Sequence, residues 1–224
     1  MSLPHFYLER QVLAAEAEPE FVLRLSDDDV KHARVLRFSD GEHIAVVDAA
    51  HDYFECEIVS FEGTYPVVRI AQHLEEEQDR PLVVLVQGLA KGDKMESIIR
   101  HATEVGVGAF VPFACERAIV KLDAKKAQAK CTRWEAIAKS AAMQSGQPSI
   151  PEVMMPQKLG EVCELIKNAH AVLICWEEAP GTAKLANALH EGLVAAGAEP
   201  RDARIVVVVG PEGGLTQAEV DALL

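Results

Sequence analysis

Two kinds of hydrophobic patterning divide the chain. Up to residue 73 the apolar positions fall in short runs, Phe21–Leu25, His43–Val47, Tyr53–Phe61 and Tyr65–Ile70, broken by Gly and Asp turns. In the Tyr53–Phe61 run, Phe54, Cys56 and Ile58 alternate with Glu55, Glu57 and Val59, the period of a half-buried strand. Ser26-Asp27-Asp28-Asp29 caps a short helix and puts acids in its first turn, where the helix dipole favours them. That helix carries Lys31, His32, Arg34 and Arg37, and Gly41 is its expected stop. Short strands with one helix predict a compact barrel over residues 1–73. The acidic, apolar-poor stretch at 74–81, ending in Pro81, predicts a linker.

From Leu82 to Leu224 (residues 82–224) the period changes. Continuous apolar runs at Leu82–Gly88, Ala109–Phe113, Ala171–Trp176 and Ile205–Val209 have the length and branching of buried strands. Between them lie helical spacings: Met95, Ile98, Ile99, Ala102 and Val105 before Gly106, then Ala124–Gln144 and Ala183–Ala195. Alternation of this kind predicts an α/β domain with a mostly parallel sheet and helices on both faces.

The last strand runs straight into Gly210-Pro211-Glu212-Gly213-Gly214, after which Thr216 and Glu219 form a capping-box signal for a new helix. Strand, glycine turn and helix start build a ligand crevice at the carboxyl edge of an open sheet. The glycines allow close backbone approach, and Gly213 and Gly214 allow positive φ. Pro211 stiffens the turn. Glu212 would repel phosphate, and the turn matches neither phosphate-loop pattern, so a ligand with hydroxyl and amine donors, such as a nucleoside, fits better. A tight connection with no ligand is the alternative.

Composition narrows the class. At 224 residues, 49% hydrophobic and 25% charged, the chain is that of a globular protein, and no apolar run reaches the ~18 residues of a membrane span. The N-terminus lacks the regions of a signal peptide, which leads us to expect a cytoplasmic location. Five scattered cysteines without a C-x-x-C pair, and eight histidines without ligand spacing, suit reduced thiols and no metal site. A net charge of −13 argues against a protein that simply coats nucleic acid. One segment departs from it: Arg117–Lys139 holds seven cations and two anions, a local +5.

Four patterns precede the glycine turn: His32-Ala-Arg34-Val-Leu-Arg37 with Gly41; Lys91-Gly-Asp-Lys94-Met-Glu96 with Thr103-Glu104-Val105-Gly106-Val107; Glu116-Arg117 with Lys121-Leu122; and Gln144-Ser145-Gly146 with Pro151-Glu152-Val153. Together with Val209–Thr216 they closely resemble, collinearly from about residue 5 to 224, the RsmE family of 16S rRNA (uridine-N3) methyltransferases of the SPOUT superfamily. The resemblance implies a PUA-like β-barrel RNA-binding domain followed by a trefoil-knotted SPOUT domain. It also implies S-adenosyl-L-methionine as cofactor, a homodimer whose active site uses both subunits, and 16S rRNA of the small ribosomal subunit as partner. It places Gly210, Pro211, Glu212, Gly213 and Gly214 in the cofactor pocket, with Trp176 and Glu177 as the opposite wall.

The chain departs from the family in two places. Met143-Gln144 and Gly146-Gln147 stand where the family has Glu-Gln and Gly-Arg. After Leu224 the family continues with a strand and an L-G-x-R-[IV]-L-R-x-E-T segment, so the resemblance implies a chain cut short at this end.

Uracil N3 keeps its proton at neutral pH, so catalysis must remove it or stabilise the anion left on O2, N3 and O4. Motif position and chemistry nominate Arg117 and Lys94 for the anion and Glu104 as base or positioning group. Lys31, Arg34, Arg37, Lys91 and Lys121 are the candidates for RNA phosphates. Two other readings use the same fold: a non-catalytic ribosome-assembly protein, and a related SPOUT enzyme acting on tRNA.

Overall fold

The structure, a computed structural model, describes residues 3–74, 80–179 and 184–224. The chain divides into two compact units, Met1–Glu76 with Ala142–Ser149, and Glu77–Ala141 with Ile150–Leu224.

The N-terminal unit contains β1 (His5–Tyr7), β2 (Glu20–Val22), α1 (Asp27–Leu36), β3 (His43–Val47), β4 (Tyr53–Glu62) and β5 (Tyr65–Leu74). Its five-stranded sheet has the order β1-β3-β4-β5-β2. β1 runs parallel to β3, and the other pairs are antiparallel. The alternation in β4 buries Phe54, Cys56 and Ile58 against Phe6, Leu13, Leu23, Ile44 and Val68. Each large apolar side chain so buried contributes about 1.5–3 kcal/mol.

Several boundaries differ from expectation. Helix α1 ends before Gly41, because Arg37 itself takes the left-handed conformation (φ 55°) and its N–H closes onto the Arg34 carbonyl. Arg37 is therefore the cap of the helix and not one of its turns. The strand expected to end at Ile70 continues to Leu74, pairing with Tyr53 at the start of β4. Most of the expected linker, residues 75–79, lies outside the described residues. Ala142–Ser149 belong to this unit because Ala142 and Met143 pack into its core and the Tyr7 hydroxyl donates to the Gln147 carbonyl. Met143 thus supplies an apolar core contact in this unit.

The C-terminal unit contains β6 (Leu82–Gly88), α2 (Lys94–Glu104), β7 (Ala109–Phe113), α3 (Ala124–Ser145, up to Ala141), β8 (Glu152–Val153), α4 (Leu159–Ile166), β9 (Ala171–Cys175), α5 (Leu185–Ala196), β10 (Arg204–Val209) and α6 (Gln217–Leu223). All pairs of its sheet are parallel, in the order β8-β7-β6-β10-β9. The short strand β8 and the helix α4, whose Leu159, Val162, Cys163 and Ile166 share one face, were not among the expected elements. The start of α5 expected at Ala183 lies outside the described residues. Ile99, Phe110, Val111, Phe113, Val206 and Val208 form the centre of the core. Strands β6 and β10 are neighbours although 122 residues separate Leu82 from Arg204, and the order reverses between them. This is the switch point at which open parallel sheets bind ligands.

Candidate active site at the carboxyl edge of the parallel sheet

Because this sheet is parallel throughout, the loops that follow β6, β7, β9 and β10 all emerge at one edge. They deliver Leu89–Asp93, Ala114–Asp123, Trp176–Ala179 and Gly210–Thr216 to the same place.

Backbone meets backbone there. A Cβ on Gly88 would lie 2.6 Å from Pro211 Cδ and 2.8 Å from the Gly210 carbonyl carbon, and closer still to Pro211 N. One on Gly210 would lie 2.9 Å from the carbonyl carbon of Gly214, so the turn folds back on itself. The Gly214 N–H donates to the Pro211 carbonyl at 2.9 Å, and Gly214 has φ +70°. Gly213 needs no positive φ; its missing side chain instead makes room for Arg117, whose Cβ would lie 3.2 Å from an added methyl. An added methyl at Gly214 would strike the Glu177 carboxylate, which puts the loop after β9 against the turn.

Side chains pin this backbone from three directions. Gln87, buried in β6, donates from Nε2 to the carbonyls of Gly88 (3.0 Å) and Gly210 (3.2 Å). Sequence reading missed it, although a lone amide in an otherwise apolar strand was a visible signal. Glu212 accepts from the Lys91 N–H at 3.1 Å and pairs with Lys94 Nζ at 3.1 Å. Its own backbone N–H, then the Lys94 ammonium and the Lys91 N–H, hold its carboxyl down at about 2. The expected carboxylate is therefore kept ionised, with its charge paired to Lys94. Arg117 Nη1 donates to the carbonyls of Gly213 (3.2 Å) and Leu215 (3.3 Å) and lies 3.9 Å from Glu178.

The buried carboxylate of Glu219 completes the frame. Its Oε2 accepts from the Thr216 N–H and hydroxyl, forming the expected capping box, and its Oε1 accepts from the Glu116 N–H at 2.7 Å. Beside it, burial and the Glu219 charge push the Cys115 thiol up to about 12, so it stays protonated. A cavity of about 700 Å³ lies next to Glu219, walled by Leu89, Ala118, Leu122, Met155 and Leu159, with Lys121 and Lys158 among its lining. No residue of the Gly210–Gly214 turn lines it.

Arg117, Lys94, Glu177 and the glycine turn are thus brought together. Trp176 is half-buried against the core, and its Nε1 has no hydrogen-bond partner among the described residues. Glu104 is not brought in: it ends α2, ten residues beyond Lys94, about 15 Å along the helix axis at 1.5 Å per residue. Lys91 and Lys121 are exposed at the same edge of the C-terminal unit, and Lys31, Arg34 and Arg37 are exposed on the N-terminal unit. The basic segment is partly consumed internally, since Arg133 (2.7 Å) and Lys130 (3.8 Å) hold Glu96. Among the described residues there is no metal-holding cluster of His, Cys, Asp and Glu, and no helix is long and apolar enough to cross a membrane.

Comparison with known proteins gives this geometry a lineage. Residues 76–224 match the model of an RNA methyltransferase domain. The chain is 32% identical to ribosomal RNA small subunit methyltransferase E of Bacillus subtilis, over 99% of this chain and 85% of that protein. It is 30% identical to the enzyme of the same name from Mycobacterium tuberculosis, over 88% of this chain and 72% of that protein. In structure it matches the Neisseria gonorrhoeae ribosomal RNA small subunit methyltransferase E, solved bound to S-adenosyl methionine. The TM-score is 0.75 and the identity 26%, over 99% of this chain and 85% of that one. The chain belongs to the RsmE family of small-subunit ribosomal RNA methyltransferases.

Proposed function

We propose that this protein transfers the methyl group of S-adenosylmethionine to N3 of a specific uridine in 16S rRNA, acting on the small ribosomal subunit in the cytoplasm as a homodimer. The trefoil-knotted SPOUT path and the PUA-like barrel belong to the same reading. The observation that carries it is the close packing of the glycine turn against the end of β6, with Arg117 and Lys94 gathered beside it.

The cofactor suits these residues. Gly210 and the exposed Gly213 carry no side chain of their own, and Pro211 stiffens the turn, which fits the hydroxyl and amine donors of an adenosyl group approaching its peptide groups. Trp176 offers an aromatic face and Glu177 a carboxylate for ribose hydroxyls. S-adenosylmethionine supplies an electrophilic methyl on a sulfonium whose sulfur departs neutral, so the protein's task lies with the nucleophile. A guanidinium has five N–H donors. Two backbone carbonyls therefore leave Arg117 with donors for the negative charge that develops on uracil O4 or O2. Lys94 acts through its pair with Glu212, holding the turn in place while adding positive charge beside it. Glu104 takes part only if the second subunit brings its own copy to this edge. Lys31, Arg34, Arg37, Lys91 and Lys121 hold RNA phosphates, which position the substrate while the target base is flipped to the site.

The experiment is mass mapping of 16S rRNA from a strain lacking the gene, before and after its subunits are incubated with purified protein and the donor. The reading expects one uridine to lack a methyl group and to regain it at N3. A full methylation pattern in the deletion strain would contradict it.

A further inference from the structure

A glutamate three residues into a helix ordinarily closes the capping box with one oxygen and leaves the other to water. Glu219 does not. It is 4% exposed, and its second oxygen reaches a loop 103 residues away in sequence, accepting the Glu116 N–H at 2.7 Å. No lysine or arginine pairs with it among the contacts of the described residues; N–H and O–H donors alone satisfy it.

The next residue after Glu116 is Arg117, which grips the opposite side of the same turn through the carbonyls of Gly213 and Leu215. A closed ring results: Leu215, Thr216, the Glu219 carboxylate, the Glu116 N–H, and Arg117 back to Leu215. In that ring the exit of the glycine turn and the loop after β7 cannot slide past each other without breaking a charge-assisted bond. Helix capping alone requires only the Thr216 half.

We propose that Glu219 is a positioning residue: its carboxylate locks the Glu116–Arg117 loop to the glycine turn and thereby fixes where the Arg117 guanidinium meets the substrate base. The inference rests on the role given to Arg117 above. Glu219→Gln keeps the shape but leaves one oxygen acceptor; the two Thr216 donors hold that oxygen, so the NH₂ group faces the Glu116 N–H and that half of the bridge opens. A displacement of about 1 Å at a catalytic group costs on the order of 100-fold in rate.

The test combines amide exchange and kinetics on the intact chain. Glu219→Gln is expected to raise the exchange rate of the Glu116 amide about tenfold or more and to lower kcat for methylation of small subunits by about 10- to 100-fold. Donor affinity is expected to stay within a few-fold of the parent value. Thr216→Ala, which removes the hydroxyl of the cap, is expected to lower Tm while leaving the Glu116 amide protected. In the Arg117→Ala background, Glu219→Gln is expected to lower kcat no further.

If the two substitutions multiply, or if Thr216→Ala and Glu219→Gln prove equivalent at Glu116, Glu219 is only a cap and the inference is overturned. If Arg117→Ala leaves methylation intact, the catalytic role of Arg117 falls. The Glu116 exchange rate still reports separately whether the lock exists.

Discussion

Adding one methyl group at Gly88 tests the packing of β6 against the glycine turn at its tightest point. The new Cβ would face Pro211 Cδ at 2.6 Å, the Gly210 carbonyl carbon at 2.8 Å, and Pro211 N nearer still. All of these belong to backbone or to a proline ring, so no flexible side chain can swing away. Ordinary contact begins at 3.4 Å, and 3.4 − 2.6 leaves at least 0.8 Å by which the ends of β6 and β10 must separate. The Gln87 bond to the Gly210 carbonyl, already 3.2 Å, breaks on that displacement. Overpacking costs about 1–3 kcal/mol, and a lost hydrogen bond adds about 0.5–1.5 kcal/mol. For a chain of this size Tm falls by about 2–4 °C per kcal/mol. The larger effect is on binding, because the turn that holds the donor is the part displaced; calorimetry with S-adenosylmethionine is expected to show at least a tenfold loss, about 1.4 kcal/mol. Gly160→Ala is the control: it lies in α4 with nothing within 4 Å of an added Cβ. Replacing a helical glycine there is expected to raise stability by up to about 1 kcal/mol. Gly88→Ala with unchanged melting and unchanged donor affinity would refute the reasoning.

Other expectations follow from the same geometry. Arg117→Lys keeps the charge but not the planar fork that spans two carbonyls; single-turnover methylation is expected to slow by about 100-fold or more, and an unchanged rate would remove Arg117 from the chemistry. The Glu212 carboxyl sits below its ordinary 4.5, at about 2, so the clamp on Lys94 is at full strength above about pH 4.5 and is lost only as pH falls through about 2. A carbon-detected titration giving Glu212 a midpoint near 4.5 would contradict the clamp. Lys31→Ala and Arg34→Ala are each expected to weaken binding to small-subunit RNA and to lower the salt slope by about one, measured by filter binding across a salt series.

The elements that hold the site were readable where a strong local pattern coincided with a buried position. The Ile205–Val209 run became β10, and the Thr216–Glu219 signal became a capping box with both halves formed. Local pattern said nothing about partners distant in sequence. That Glu219 also serves Glu116, and that Arg117 lies against Gly213, depends on which loops a parallel sheet sends to one edge. The same limit explains Glu104. It shares a motif and a helix with Lys94, yet a helix carries its two ends to opposite edges of the sheet. Arg37 shows a different limit: a non-glycine residue caps the helix at φ 55°, so the glycine at 41 was the wrong stop signal. Short elements such as β1 and β8 offer too few residues for any period to register.

The central claim is that the turn from Gly210 to Gly214 holds the methyl donor. Amide resonances of the intact, isotope-labelled chain, followed while S-adenosylmethionine is added, test it most directly. The account predicts saturable shifts concentrated at Gly210, Glu212, Gly213, Gly214 and Glu177, and their loss in Gly88→Ala. Shifts confined to other parts of the chain, with these amides unmoved at saturation, would contradict it.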